Sequence, residues 1–493
     1  MASRRGFSAR RVIVVDLLAI AAGIAGGLGA VLFRYMIKAA QTVFFGHIHS
    51  TLSTVTPSFN GLDYTLIVLP AIGGLIIGPL VAKAAPETRG HGVPEVMEAV
   101  LLKAGRIRPR VAAVKVLVSS ITIGSGGSAG REGPIAQIGA SIGSLLGRLF
   151  KLGPHDMRLL VTCGLSAGIA GTFNAPLGGA IFGMEILLRN VGPFDAIPIL
   201  FSSVIGAATA SVFLGSRPSF YIPGIPEWDP LEIPLYILHG AIIGIVAVAW
   251  VRIFYAVEGL FSRLRLDQAL KPALGGLLTG VLLALFPVYG VGGVGYEGVE
   301  MALLGTLPAT LMLVLGLSKI IATSLTVGSG GSGGIFAPSL YIGAMFGGLL
   351  GTLYTELLPN YVNGALGYTL AGMAALFAGA AQAPLNVIVM IPEMSGSYSL
   401  IPPIMASAGS SFIVSWTLLR GSSIYTLKLE RRGVRVRMFQ SFILDSVTVE
   451  EVMTRRVPVV PPDAPLAAVE AIFDEHLHGY YLVVDRSKRE LLG

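Results

Sequence analysis

Three stretches of this chain combine backbone that can open toward an ion with side chains that can carry a proton. Gly130-Arg131-Glu132-Gly133-Pro134, Gly334-Ile335-Phe336-Ala337-Pro338 and Gly90-His91-Gly92-Val93-Pro94 each set glycine ahead of a proline suited to a helix start. A helix N-terminus carries unsatisfied N–H groups and about half a positive charge, so it can hold an anion without a full cation. Glycine lets the backbone approach an ion closely, and proline near a helix start gives up an N–H that would be unpaired there anyway. Glu132 adds a carboxylate among these N-termini. Ionised, it occupies the same amides that an anion wants; protonated, it no longer competes and can swing away. The chemistry expected of this constellation is anion binding linked to proton binding.

The positions of these stretches imply the elements that carry them. The run GSGGSAGREGP from Gly124 recurs as GSGGSGGIFAP from Gly328, and an offset of 204 carries Gly124, Pro134 and Gly139 to Gly328, Pro338 and Gly343. Further on, NAPLGGAIFGMEIL from Asn174 pairs with QAPLNVIVMIPEMS from Gln382, and an offset of 208 carries Ala175, Pro176, Leu177 and Glu185 to Ala383, Pro384, Leu385 and Glu393. Two collinear matches imply structural repeats of roughly 210 residues each, a common way to build a secondary transporter.

Composition names the solvent. Of 493 residues, 53% are hydrophobic and only 13% charged, with mean hydropathy +0.75, which excludes an ordinary soluble protein and points to a polytopic membrane protein. Apolar windows near the length of about 20 residues that spans a bilayer fall at Val12 to Tyr35, Tyr64 to Ala82, Ile197 to Leu214, Tyr236 to Ala256, Ala273 to Tyr289, Leu307 to Val327 and Ile401 to Leu419. The glycine- and proline-broken segments between them, around 111 to 190 and 328 to 395, are tolerable at membrane depth only where they are buried in protein or line a polar cavity. The pathway is expected there. Arg4, Arg5, Arg10 and Arg11 precede the first window, and Lys428, Arg431, Arg432, Arg435 and Arg437 follow the last, so both termini are expected in the cytoplasm. The first window is long and lacks a small-residue cleavage site, and is read as a retained helix rather than a signal peptide. The net charge of +7 is then mostly topology, with a weaker contribution from anionic headgroups. It is not a nucleic-acid footprint, since no basic helix accompanies it.

Other chemistries find little support. Cys163 is the single cysteine, which rules out an intrachain disulfide and any multi-cysteine metal site. His47, His49, His155, His239, His476 and His478 show no metal-ligand spacing with cysteine or carboxylate partners, so neither metal nor cofactor is expected. GSGGSAG lacks the Lys-Ser/Thr ending of a phosphate-binding loop, and no convergent catalytic set accompanies it, so an enzyme is not expected.

After Leu419 the sequence turns polar. A helix is expected at about 466 to 476 and a strand at Tyr480 to Val484. Val452-Met453-Thr454, the helix entry Pro462-Asp463-Ala464-Pro465-Leu466 and the strand end Val483-Val484-Asp485 make 445–493 resemble part of a CBS domain. CBS motifs normally pair to form a nucleotide-binding cleft, so nucleotide binding and a packing or dimerising role both stay open for this cytoplasmic segment.

Residues 10 to 430 resemble the CLC family of chloride channels and chloride/proton antiporters. The resemblance rests on GREGP at 130–134, GGIFAP at 333–338, GHGVPE at 90–95 as a variant of the family's GSGIPE, and Tyr425 after the last membrane helix. It implies an all-α membrane protein of two inverted repeats, about 10–215 and 230–425, with broken helices around a midplane anion site. It also implies a homodimer in the plasma or inner membrane, with one anion pathway per subunit. Chloride and other small anions would be the substrate. By the same resemblance the amides of Ile335 and Phe336 and the Tyr425 hydroxyl would hold the central anion, the Gly92, Val93 and Gly133 backbone and Arg131 would border it, and Glu132 would be the gate. Two positions depart from the family. The family's anion-binding serine falls on His91, which either contacts the anion or turns away to bond a carbonyl. The second, inward-facing glutamate of the antiporters falls on Ile186, which cannot take a proton; the adjacent Glu185 points about 100° away on a helix, and its match with Glu393 favours a structural role. The missing acid tilts the expectation toward a passive voltage- or pH-gated channel, with chloride/proton antiport as the alternative and a membrane regulatory protein working through the CBS-like segment as a remote one.

Overall fold

The computed structural model describes residues 9–54, 62–220, 222, 224, 227–434, 459–470, 482–485 and 490–491. They form two compact units, 1–438 and 439–493. In the first half of the large unit the helices are α1 (Ala9–Gln41), α2 (His49–Ser53), α3 (Thr65–Lys83), α4 (Val93–Leu102), α5 (Arg110–Gly124), α6 (Glu132–Leu149), α7 (Pro154–Phe173), α8 (Pro176–Phe182) and α9 (Pro193–Leu214). The second half has α10 (Ile233–Arg263), α11 (Lys271–Leu285), α12 (Tyr296–Leu303), α13 (Ala309–Gly328), α14 (Phe336–Leu357), α15 (Ala365–Ala381), α16 (Pro384–Ser395) and α17 (Ile401–Leu419), and a short α18 (Thr426–Glu430) ends the unit.

Six of the described helical segments are long and apolar enough to cross a membrane. The window at Val12 to Tyr35 lies inside the longer α1, which runs through a π-helical stretch, Thr42–Ile48, into α2. The window expected to reach Tyr289 stops at Leu285, because Pro287 disfavours helical backbone in the residue before it, and Phe286 turns to φ −132°. Prolines open α7, α8, α9 and α16 at their first position, where the missing donor costs nothing.

The two halves repeat each other in packing. α6 lies against α7 as α14 lies against α15, α1 against α9 as α10 against α17, and α7 against α9 as α15 against α17. Close glycine contacts set the first pair: a Cβ on Gly139 would collide with the Gly164 carbonyl. At the equivalent crossing, a Cβ on Gly343 would lie 2.5 Å from the Gly372 carbonyl. Helices associate in lipid through such close backbone approach. α7 and α15 also end alike, on Asn174 and Gln382 in the left-handed conformation at φ +54° and +57°. These turns redirect the chain into α8 and α16.

The small unit contains a three-stranded sheet in the order β1 (Val459–Val460), β2 (Leu482–Asp485), β3 (Glu490–Leu491). β1 and β2 are parallel, with Val459 opposite Leu482, and β2 and β3 are antiparallel, with Val484 opposite Leu491. Residues 466–470 are helical. The expected strand thus ends one residue later than Val484, while Val452 to Thr454 and the rest of the expected helix lie outside the described residues.

Candidate functional site

The glycine-rich breaks of the two halves meet in the core of the large unit. Gly130 and Gly334 exchange both backbone hydrogen bonds, at 2.7 and 2.6 Å. Gly90 donates to the Gly331 carbonyl at 3.0 Å and accepts from the Gly333 N–H at 3.3 Å. Because the breaks satisfy one another, non-helical backbone at this depth carries no unpaired cost. The starts of α4, α6 and α14 are thereby held together.

Glu132 opens α6 and is 1% exposed. Its carboxylate reaches across to the other repeat, where the Ala337 N–H in the first turn of α14 donates to Oε2 at 3.3 Å. The carboxylate thus occupies a backbone donor that the helix itself leaves unsatisfied. Arg131 forms no ion pair with it. Its guanidinium lies 5.1 Å from the centroid of the Tyr296 ring instead.

Ile335, Phe336 and Tyr425 are buried beside this carboxylate's helix starts. The Phe336 ring packs on Phe377 at 4.5 Å, and Phe377 on Tyr425 at 6.3 Å. His91, 1% exposed, lies 5.7 Å from the Tyr425 ring and 5.8 Å from Phe254. Neither of its ring nitrogens has a hydrogen-bond partner, so the ring is not turned away onto a carbonyl. Gly92 has φ +86°, and a Cβ there would sit 2.7 Å from the Gly133 carbonyl. Glycine is needed at 92 for both conformation and space. Val93 is the first residue of α4 and is buried. The anion-binding candidates His91, Gly92, Val93, Gly133, Ile335, Phe336 and Tyr425 therefore share one region with Glu132, and the Arg131 side chain turns toward Tyr296.

Ile186 lies apart from this cluster in sequence, on a π-helical turn, Gly183–Leu188, that packs against α4, α7 and α9. Its side chain is buried. Glu185 belongs to a different device. Its carboxylate accepts the N–H groups of Leu385 at 3.0 Å and Asn386 at 2.7 Å, at the start of α16. Glu393 reciprocates, accepting from Leu177 at 3.0 Å and Gly178 at 2.6 Å at the start of α8. Each acid caps the equivalent helix of the other half.

Two residues escaped sequence reasoning. Lys115 and Lys319 are both 0% exposed. Lys115 Nζ donates to the carbonyls of Thr88 and Gly90, both at 2.9 Å. Lys319 Nζ donates to those of Gly290, Val291 and Gly293 at 2.8, 3.2 and 3.2 Å. They tie down the loops before α4 and α12. The signal was available: a lone lysine in an apolar helix recurs at the offset of 204 that relates the glycine motifs.

Comparison with known proteins agrees with this architecture. The family model described as voltage gated chloride channel matches residues 73–416, and that of the CBS domain matches 449–493. The chain is 31% identical over 421 residues to the voltage-gated ClC-type chloride channel ClcB of Salmonella typhimurium, covering 84% of this chain and 98% of that one. It is 33% identical over 391 residues to the H(+)/Cl(-) exchange transporter ClcA of Yersinia pestis, covering 76% and 80%. The crystal structure of a slow cyanobacterial Cl-/H+ antiporter superposes with a TM-score of 0.76 at 25% identity, covering 87% of this chain and 99% of that one.

Proposed function

This chain belongs to the voltage-gated chloride channel family and is a membrane protein of chloride transport, and on that premise we propose that it exchanges chloride for protons through a pathway gated by Glu132. The observation that carries the proposal is the Glu132 carboxylate on the Ala337 N–H. A carboxylate and a chloride compete for the donors at a helix start, so the anion can take them only when the carboxylate leaves. Taking up a proton removes the charge that holds it there. Each proton accepted by Glu132 then corresponds to an opening for the anion, with the backbone of Ile335, Phe336, Gly92 and Val93 and the side chain of Tyr425 holding chloride next to the gate. The exchange transporter among the relatives and the antiporter fold support this reading. It replaces the passive channel to which Ile186 tilted the sequence reading.

The passive channel keeps one observation in its favour, the absence of an ionisable side chain at 186. The two readings separate in liposomes. Under a chloride gradient, the exchanger's reversal potential is displaced by an opposing proton gradient, while a channel's follows chloride alone. Glu132→Gln is expected to carry chloride without proton coupling; unchanged coupled flux in this variant would remove Glu132 as the gate.

The same reading includes a homodimer with one pathway per subunit, both termini in the cytoplasm and residence in the inner membrane.

A further inference from the structure

His91 has no structural occupation. The loop that carries it is fixed by other groups: Gly90 is bonded to Gly331 and Gly333, Lys115 holds the Gly90 carbonyl, and the His91 carbonyl abuts Gly133 so closely that a Cβ there would collide with it. The ring itself packs edgewise against Phe254 and at a tilt against Tyr425. An imidazole buried with both nitrogens unpartnered costs about 1–3 kcal/mol for each polar group left without a hydrogen bond. A phenyl ring or an aliphatic side chain would fill the same space without that penalty. The polar ring therefore matters for what it binds during turnover.

We propose that His91 is the second proton-carrying side chain of the transport cycle: it binds the anion through a ring N–H, takes up a proton together with it, and passes that proton to Glu132. This rests on the exchange reading above and fills the place left vacant at Ile186. Glu185 is engaged elsewhere, with both of its oxygens accepting N–H groups at the start of α16.

The chemistry balances simply. Neutral imidazole offers one N–H and one lone pair; the imidazolium offers two N–H donors. A proton arriving from the cytoplasm forms the second N–H bond, and the imidazolium and chloride then make a neutral pair in a site where either charge alone would be costly. Proton and anion each improve the binding of the other, by the same factor. In the next step the imidazolium N–H bond breaks and an O–H bond forms on Glu132, next to the Gly133 that packs on the His91 loop. His91 returns to the neutral form, and Glu132 releases the Ala337 N–H to the anion.

The surrounding charges sharpen this coupling. Burial of the ring comes first, and Lys428, Lys115 on α5 and Arg432 then act on it as positive charges, so an imidazolium without its anion is both desolvated and among cations. Glu95 on α4 is already engaged by Lys428 at 2.7 Å and Arg432 at 3.4 Å, and Glu132 on α6 and the Tyr425 hydroxyl are further ionisable groups of this region. A cavity of about 470 Å³ lined by Glu87, Glu95, Glu98, Gln137 and Arg432 lies beside the loop. Gln137 borders both: its Oε1, buried and without a partner, stands 3.2 Å from where a Cβ on Gly92 would be. Proton access to His91 is assigned to this cavity.

The test measures proton uptake on chloride binding by titration calorimetry in two buffers of different ionisation heat. The background is Glu132→Gln, which silences the gate's own proton. The expected result is proton uptake with chloride in that background, lost entirely in Glu132→Gln/His91→Gln, where the amide still donates a hydrogen bond and chloride still binds. Undiminished uptake in the double variant overturns the proposal. In liposomes, His91→Gln alone should move the reversal potential to that of chloride. If the double variant does not fold, histidine-labelled Glu132→Gln gives the answer by nitrogen NMR: chloride should convert the His91 ring to the doubly protonated form, and an unaltered ring overturns the proposal. Failure of the exchange reading is separately visible, as a wild-type reversal potential indifferent to protons, and leaves the calorimetric result on His91 standing.

Discussion

Lys115 and Lys319 show how single residues hold the site open. Each ammonium satisfies loop carbonyls that have no helix to bond to, and a buried cation is tolerated because several dipoles converge on it. Methionine has nearly the shape of lysine but no donor. Lys115→Met and Lys319→Met are each expected to lower the melting temperature in detergent, and Lys319→Met more: it strips the donor from the Gly290 and Val291 carbonyls, at about 1–3 kcal/mol apiece, whereas the Thr88 and Gly90 carbonyls still accept from the Ser332 hydroxyl and the Gly333 N–H. Because Lys115 orients the loop of His91 while Lys319 holds the loop before α12, Lys115→Met should also weaken chloride binding, and Lys319→Met much less. Calorimetric chloride titration of the two variants checks the difference. The chemical types at 90–94, 130–134 and 334–338 were legible in the sequence because glycine, proline and glutamate have narrow physical uses in an apolar chain. The partners of these residues were not. Glu132 meets Ala337, and His91 meets Tyr425, across separations of more than two hundred and more than three hundred residues that no local pattern encodes.

Among the elements, α8 and α16 carry the most specific cross-repeat contact. Two short helices whose starts are exchanged between carboxylates of the opposite half behave as a clasp. Charge at a helix N-terminus contributes about 0.3–1 kcal/mol at an exposed site and up to ~2 in a partly buried one. Glu185→Gln and Glu393→Gln should therefore each reduce thermal stability by a similar amount, and the double variant should lose about the sum. Proton coupling is expected to persist in Glu185→Gln, as measured by the liposome reversal potential; its loss would return Glu185 to the proton route. The offset of 208 made this pairing visible as a match between two glutamates and suggested structure over chemistry. That each acid caps the other repeat's helix follows only from the fold, which sets α8 against α16.

For the whole molecule, charge bias and the repeat predict orientation. With Arg-rich segments at both ends of the membrane unit, cysteines introduced at Ser3 and at Ser441 should react with a membrane-impermeant maleimide only after the cytoplasmic side is opened. Cys163 is fully buried, so the native background should be silent. Labelling of either position from outside intact cells would invert the orientation. The glycine contacts at Gly139 and Gly343, matched at Gly164 and Gly372, extend the sequence repeat into three dimensions, where equivalent helix pairs cross by the same close approach of backbone.

The sequence by itself determined the solvent, the duplication and the residue types of the site, because hydrophobic length, glycine-proline punctuation and a recurrent offset are properties of the chain read in order. It also fixed the two departures at His91 and Ile186. Tertiary structure alone decided which donors Glu132 occupies, that Glu185 is a cap, that two buried lysines secure the loops, and that the His91 ring is left without a partner. Those outcomes depend on bringing helix starts from two distant halves within hydrogen-bond range, where direction and burial select among partners that the linear order leaves equivalent.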